Sequence, residues 1–209
     1  TLAALREENG DLPGAAEACT RALELEPRDP RAWLARARVR LAARAPGEAL
    51  LAAPYADDAA ILRLFERVQR GVTLQAFEYL EHGCLRHVQS HRGREHAGAF
   101  EAPSHAYVLI EAEHGDGESE AQLRERIVEL FAAAAEAGEI EDAVVATTAA
   151  QARELWSLRE DVSESLHRHR PHKNDVALPL AALVPFLAAW RPLVDAFLPG
   201  AQALSFGHV

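Results

Sequence analysis

Ala106-Tyr107-Val108-Leu109-Ile110-Glu111-Ala112 is the clearest strand in the chain, and its neighbours on either side decide the fold. Its β-branched and aromatic centre predicts burial on at least one face. Upstream, Val72 to Leu80 carries Leu74, Phe77 and Tyr79 and predicts a second strand. Residues 82–104, between the two, are rich in His, Arg and Gly and read as irregular. Further upstream, Asp57 and Asp58 precede a helix with Ile61, Leu64, Phe65 and Val68 on one face, stopped by Gly71. Before it, Ala49 to Ala53 is a short apolar run ended by Pro54. Downstream, Ser119 with Gln122 forms a capping box, and Asp116 and Glu118 suit a helix start. Leu123, Ile127, Leu130, Phe131 and Ala134 then repeat at helical spacing until Gly138 closes the helix. Ala143 to Thr147 is another short strand.

The order is β-α-β-β-α-β, the ferredoxin-like plan of an α+β domain. That topology alone gives no function. Beyond it, Thr148 with Gln151 reads as a second capping box. The helix that follows places Leu155, Leu158, Val162 and Leu166 on one face and Arg159, Ser163 and His167 on another. Asn174 to Pro179 reads as a strand closed by proline. A helix around Val184 to Phe197 comes next, and Pro192 is expected to bend it. Pro199-Gly200 then turns the chain into a last strand over 202–208. The strands at 174–179 and 202–208 can share a sheet, which would bring His208 close to the helix carrying Arg159.

Composition bounds the function. Apolar residues make up 49% and charged residues 26%, which is globular. Lys and Arg number 22 against 32 Asp and Glu, for a net charge of −10. That balance argues against a general nucleic-acid binder. Two cysteines, Cys19 and Cys84, cannot build a disulfide scaffold, so a reducing compartment, the cytoplasm, is expected. No signal peptide opens the chain, and no apolar stretch reaches the ~20 residues that span a bilayer. The chain begins at Thr1, contains no Met, and closes on a strand without a turn. A piece of a longer protein is expected.

Residues 1–48 are dense in Ala, Leu, Glu and Arg, with Leu12, Ala15, Ala16, Cys19, Ala22 and Leu23 on one helical face. Gly10, Leu12, Ala15, Ala22 and Pro27 stand at the spacings of a tetratricopeptide repeat, and Trp33 stands where the next repeat begins. The segment resembles about one and a half such repeats, whereas a helical solenoid needs roughly three to bury its own face. It contains no Lys, so it does not resemble the Lys- and Asn-lined peptide clamps of that family. Residues 49–209 form the second part.

The chemistry gathers in the last sixty residues. His167-Arg-His-Arg-Pro-His-Lys173 is a basic cluster in an acidic protein. A guanidinium, a hydroxyl and an ammonium together make a carboxylate site: Arg159 can grip two oxygens, and Ser163 and Lys173 add a hydroxyl and a point charge. The alternative is a solvated basic helix end, favoured by the helix dipole. Neither His82, Cys84, His87 and His91 nor His167, His169 and His172 fit a zinc pattern. No Gly-rich phosphate loop and no Gly-x-Ser-x-Gly elbow is present.

Leu155-Trp-Ser-Leu-Arg-Glu160, Lys173-Asn-Asp-Val-Ala-Leu-Pro179 and Phe206-Gly-His208 occur in that order. Together they resemble the C-terminal domain of FAD-linked oxidases, the D-lactate, glycolate and D-2-hydroxyglutarate dehydrogenase group. The resemblance runs from about Ala49 to Val209, and Phe77-Glu-Tyr79 and Tyr107-Val-Leu-Ile110 stand where that family has strands. It implies that Arg159 holds the carboxylate of a small 2-hydroxy acid, with Ser163 and Lys173 beside it. It also implies that His208 is the first histidine of a Gly-His-x-Gly-Asp-Gly-Asn-x-His segment, a ligand to a divalent metal, zinc. FAD in that family is bound mainly by a domain that precedes this region. Since neither that domain nor the remaining metal ligands occur here, the chain alone is expected to be inactive. The rival expectation is a non-enzymatic scaffold that binds a protein partner through its tetratricopeptide-like segment.

Overall fold

The structure is a computed structural model that describes residues 48–54, 57–93, 104–114 and 118–209. The chain divides into two units, Thr1–Pro46 and Gly47–Val209. The repeat-like helices expected over residues 1–48 lie outside the described residues, apart from the last position.

Four strands and two helices realise the β-α-β-β-α-β plan: β1 Glu48–Pro54, α1 Asp58–Gly71, β2 Thr73–Glu81, β3 Ala106–Glu113, α3 Glu120–Glu136 and β4 Ile140–Val145. A further helix, α2 His82–His91, lies between β2 and β3. After β4 come α4 Ala149–Glu160, α5 Val162–His167, a 3-10 turn Leu180–Ala182, α6 Leu183–Phe197 and β5 Phe206–His208. The sheet order is β4-β1-β3-β2-β5, and every pairing is antiparallel. Strand β5 extends the plan at the β2 edge. The run from Ala106 to Ala112 lies in the central strand β3 and is buried at every position.

Helices cover both faces of the sheet. Ile61, Leu64 and Val68 of α1, Leu123, Ile127 and Phe131 of α3 and Leu187 of α6 pack with Phe77, Tyr79, Val108 and Ile110 on one face. Leu85 and Val88 of α2, Leu155 of α4, and Val162 and Leu166 of α5 pack with Leu80, Tyr107 and Leu109 on the other. Strand residues alternate between the faces, so β2 sends Phe77, Tyr79 and Glu81 one way and Glu78 and Leu80 the other. Each fully buried Leu, Ile, Val or Phe contributes about 1.5–3 kcal/mol.

Local signals set the helix ends. Asp57 caps α1 by accepting from the Ala60 N–H at 3.0 Å. Ser119 and Gln122 close a reciprocal capping box on α3. Gly138, at φ +67°, stops α3 in the left-handed region, and the Gly138 and Glu139 N–H groups bond the Ala135 and Ala134 carbonyls. At α4, Thr148 accepts from the Gln151 N–H, but Gln151 Oε1 accepts from the Thr147 N–H and hydroxyl instead. The expected second capping box is therefore only half formed.

Several expectations are corrected. Residues 82–91 are helix α2 and not irregular, because Cys84, Leu85 and Val88 make a buried helical stripe within polar surroundings. The helix expected to carry Arg159, Ser163 and His167 on one face is broken at Asp161, which ends α4 and precedes α5. Residues 174–179 form no strand: no described strand lies beside them, and all six are exposed. The closing strand is limited to Phe206–His208, so the expected shared sheet of 174–179 and 202–208 does not exist. Residues 180–197 are, by length and composition, apolar enough to cross a membrane, with a mean hydropathy of 1.4 and 11% buried. At 18 residues the stretch stays short of the ~20 that the sequence was expected not to reach. Leu187 and Val194 bury one side of α6 in the fold, and a single such helix does not establish a span.

Candidate functional site

Glu78 and Glu81 are both buried on β2, 2% and 8% exposed, and face opposite sides of the sheet. A buried carboxylate is tolerated only when paired and hydrogen-bonded. Each glutamate has recruited an arginine from a helix on its own side. The two resulting clusters differ in what they leave open.

On the α1 and α6 side, Arg191 spends its whole fork on the protein. Its Nε and Nη2 donate to Glu81 Oε1 at 3.0 and 2.8 Å. Its Nη1 and Nη2 donate to the Asp58 carboxylate at 2.5 and 3.3 Å, and Nη2 also donates to the Tyr79 hydroxyl at 3.0 Å. Glu81 Oε2 accepts from the Ser205 N–H at 3.0 Å. The His105 ring, 3.6 Å from Asp58, and the Arg191 fork hold the Asp58 carboxyl down to about 2, against the upward push of burial. Burial, with the Glu81 and Asp58 charges, pushes the Tyr79 hydroxyl far above its ordinary range. A cleft of about 420 Å³ opens beside this cluster, with Glu81, Asp195, His82, His105 and Arg191 in its wall. Two carboxylates at its wall repel an anion, and Arg191 has no edge left to receive one.

On the other side, Glu78 divides its two oxygens. Oε2 accepts from Arg159 Nε at 2.7 Å. Oε1 faces His208 Nδ1 in an ion-pair contact. The register explains the second contact: Glu78 stands directly opposite His208 across the β2–β5 ladder. Arg159 arrives from the last turn of α4, and its guanidinium carbon lies 5.0 Å from the centre of the Phe206 ring. That is within cation–π range. Only Nε is taken, so the Nη1–Nη2 edge has no protein partner among the described residues. The Arg159 side chain is 20% exposed and that of His208 is 85% exposed. This corner has a charged, planar donor edge that reaches solvent and a floor that is fixed.

The residues expected to act together are only partly together. Arg159 and His208 meet on Glu78. Ser163, exposed on α5 past the break at Asp161, has no described contact with them. Lys173 is exposed in the irregular stretch after α5, again without one. Glu78 itself is the residue that sequence reasoning missed. Its signal was a glutamate inside an otherwise apolar strand, Phe77-Glu-Tyr79. Among the described histidines, His82 Nδ1 meets the Tyr107 hydroxyl at 3.2 Å and His87 Nε2 meets Gln202 Oε1 at 3.0 Å. Burial pushes the Cys84 thiol up to about 12, so it is no nucleophile at neutral pH. Among the described residues no group of three or more His, Cys, Asp or Glu is placed to hold a metal.

Fold and corner together define a sheet domain that offers a guanidinium edge at its rim. Residues 45–209 match the family of FAD linked oxidases, C-terminal domain, and the chain belongs to that family. Residues 1–39 match a tetratricopeptide repeat. The chain is 32% identical over 160 residues to a D-2-hydroxyglutarate dehydrogenase of Xanthomonas citri pv. viticola, covering 77% of this chain and 32% of that protein. It is 29% identical over 154 residues to the D-2-hydroxyglutarate dehydrogenase of Stutzerimonas stutzeri, covering 73% and 32%. A probable mitochondrial D-2-hydroxyglutarate dehydrogenase of Oryza sativa subsp. indica is 28% identical over 149 residues, covering 71% and 26%. The chain thus spans between about a quarter and a third of the length of these curated relatives.

Proposed function

We propose that this chain supplies the substrate-binding corner of an FAD-dependent 2-hydroxy acid dehydrogenase. The observation that carries the reading is the open Nη1–Nη2 edge of Arg159, held by Glu78 beside His208. A guanidinium edge receives a carboxylate through two parallel hydrogen bonds, which fixes the orientation of the acid as well as its position. The names of the relatives favour D-2-hydroxyglutarate as the acid. Ser163 and Lys173 are secondary contacts in this proposal.

FAD goes with the family, and the resemblance assigns its binding mainly to another domain. The cleft beside the Arg191 cluster is walled by Glu81 and Asp195, which a pyrophosphate would meet as like charges. The family resemblance implies zinc at His208. A zinc site needs three or four ligands, and in this corner the described residues offer one imidazole beside a glutamate already engaged by Arg159. The proposed binding therefore rests on Arg159.

The test uses the domain joined to a flavin-binding domain, with a dye as electron acceptor and D-2-hydroxyglutarate, D-lactate and glycolate as substrates. Arg159→Ala is expected to weaken substrate binding by ~2–5 kcal/mol, the scale for losing one partner of a buried charge pair. Arg159→Lys is also expected to be poor, because an ammonium cannot replace a two-toothed fork. Flavin content should stay unchanged in both. Normal turnover of Arg159→Ala at low substrate would overturn the proposal.

A second reading is favoured by the tetratricopeptide match at residues 1–39: a protein partner that docks on the N-terminal segment. A partner that is lost on deleting residues 1–46, while hydroxy-acid binding persists, would support it.

A further inference from the structure

We infer that Glu78 is the positioning residue of this corner, aiming Arg159 and His208 together through its two oxygens. The inference rests on the reading of Arg159 as the carboxylate binder. Glu78 is 2% exposed, at the centre of a strand with β3 on one side and β5 on the other. Its carboxylate cannot swing to find other partners, so it serves as a fixed point for groups that can move.

Its effect on Arg159 is rotational. A guanidinium presents two pairing edges, one made of Nε and an Nη nitrogen and the other of the two Nη nitrogens. Glu78 Oε2 takes Nε at 2.7 Å, and the Phe206 ring centre lies 5.0 Å from the guanidinium carbon. The Nη1–Nη2 edge is then the one left to face a bound acid. Without Glu78 the long side chain would sample several rotamers and spend binding energy on ordering itself.

Its effect on His208 is a choice of tautomer. An ionised carboxylate only accepts, so a neutral His208 ring facing it must carry its proton on Nδ1. Nε2 is then the nitrogen with the free lone pair on a side chain that is 85% exposed. The same carboxylate thus delivers a donor edge and an acceptor nitrogen to one place. A 2-hydroxy acid presents the complementary set, a carboxylate beside a hydroxyl.

Two expected losses follow from removing the anchor. Glutamine at position 78 is nearly isosteric but has one acceptor and one donor end, so it cannot serve both partners as acceptor. The experiment uses the isotope-labelled 209-residue chain. Ring-nitrogen shifts of His208 and the Nε–H resonance of Arg159 are recorded without ligand, and D-2-hydroxyglutarate affinity is then measured by shift titration. The wild type is expected to show a protonated Nδ1 and a bare Nε2 in the neutral ring, with a protected Arg159 Nε–H. Glu78→Gln is expected to lose the His208 tautomer, the Arg159 signal or both, and to bind the acid at least ~10-fold more weakly, the scale of losing one hydrogen bond to a charged group. Glu78→Asp keeps the charge but shortens the arm by one methylene. It is expected to bind more weakly than wild type and better than Glu78→Gln, and it decides the matter if Glu78→Gln does not fold.

Wild-type nitrogen shifts and wild-type affinity in Glu78→Gln, or wild-type affinity in Glu78→Asp where the glutamine variant does not fold, overturn the inference. Failure of the underlying reading looks different. If Arg159→Ala binds the acid as well as wild type, or if the wild type does not bind it, the carboxylate-binder reading falls. The ring-nitrogen and Nε–H signatures of the Glu78 variants then decide the positioning role alone.

Discussion

Strand β2 sends two buried glutamates three residues apart to opposite faces, and each meets an arginine. Around Glu81, every nitrogen of Arg191 donates to Asp58, Glu81 or Tyr79. Around Glu78, Arg159 gives up one nitrogen and keeps an edge. An arginine whose fork is saturated clamps elements together: Arg191 ties α6 to the start of α1 and the end of β2. An arginine held by one tooth is placed and still able to bind. What separates a clamp from a binding group here is the number of acceptors around it, and burial of the glutamate is nearly the same in both.

The largest expected difference is in stability. Arg191→Ala leaves Asp58 and Glu81 without their shared cation, and because the Arg191 side chain is itself 34% exposed, urea unfolding should show a loss of about 3 kcal/mol, the low end of the scale for breaking a buried ion pair from one side. Arg159→Ala removes one charged hydrogen bond and should cost about 1.5–3 kcal/mol. Equal losses in the two variants would erase the distinction between clamp and binding group.

Acid should find the Arg191 cluster next. Asp58 titrates at about 2 in the folded chain against an ordinary 3.8. A carboxyl whose folded value is depressed stabilises the fold above its unfolded value and loses that contribution as pH falls through the folded one. About 2 kcal/mol should therefore disappear between pH 4 and pH 2. Asp58→Asn should flatten the pH dependence of the urea midpoint in that window. An unchanged slope would place the acid-sensitive charge elsewhere.

The smallest expected effect is at Phe206. Phe206→Leu keeps an apolar side chain under Arg159 but removes the ring face, and hydroxy-acid affinity should fall by about 0.5–1 kcal/mol. A change of tenfold or more would mean that the ring contacts the acid itself.

The sheet was legible in the sequence because its signals are local. The run from Ala106 to Ala112, the Ser119–Gln122 cap and the Gly138 stop each name their own element, and the structure has β3, α3 and its end where they fall. Helix α2 was hidden because Cys84, Leu85 and Val88 are few apolar residues among many polar ones. Residues 174–179 have strand-like residues but no described neighbour to pair with, and pairing is a property of the tertiary structure. The site was legible in part for the same reason. Arg159 and His208 stand in recognisable stretches, whereas their meeting point depends on the β2–β5 register, which no local pattern encodes. The Arg191 cluster joins residues more than a hundred positions apart and left no trace in the sequence.

The most direct measurement follows the arginine side chains while the labelled 209-residue chain is titrated with D-2-hydroxyglutarate. The Arg159 guanidinium resonances should shift in a saturable way and those of Arg191 should stay still. Arg159→Ala should abolish saturation, while Arg191 variants that remain folded should bind as wild type does. Saturable shifts at Arg191 in place of Arg159 would move the binding site to the cleft beside Glu81. That result would contradict the assignment of Arg159 as the group that holds the acid.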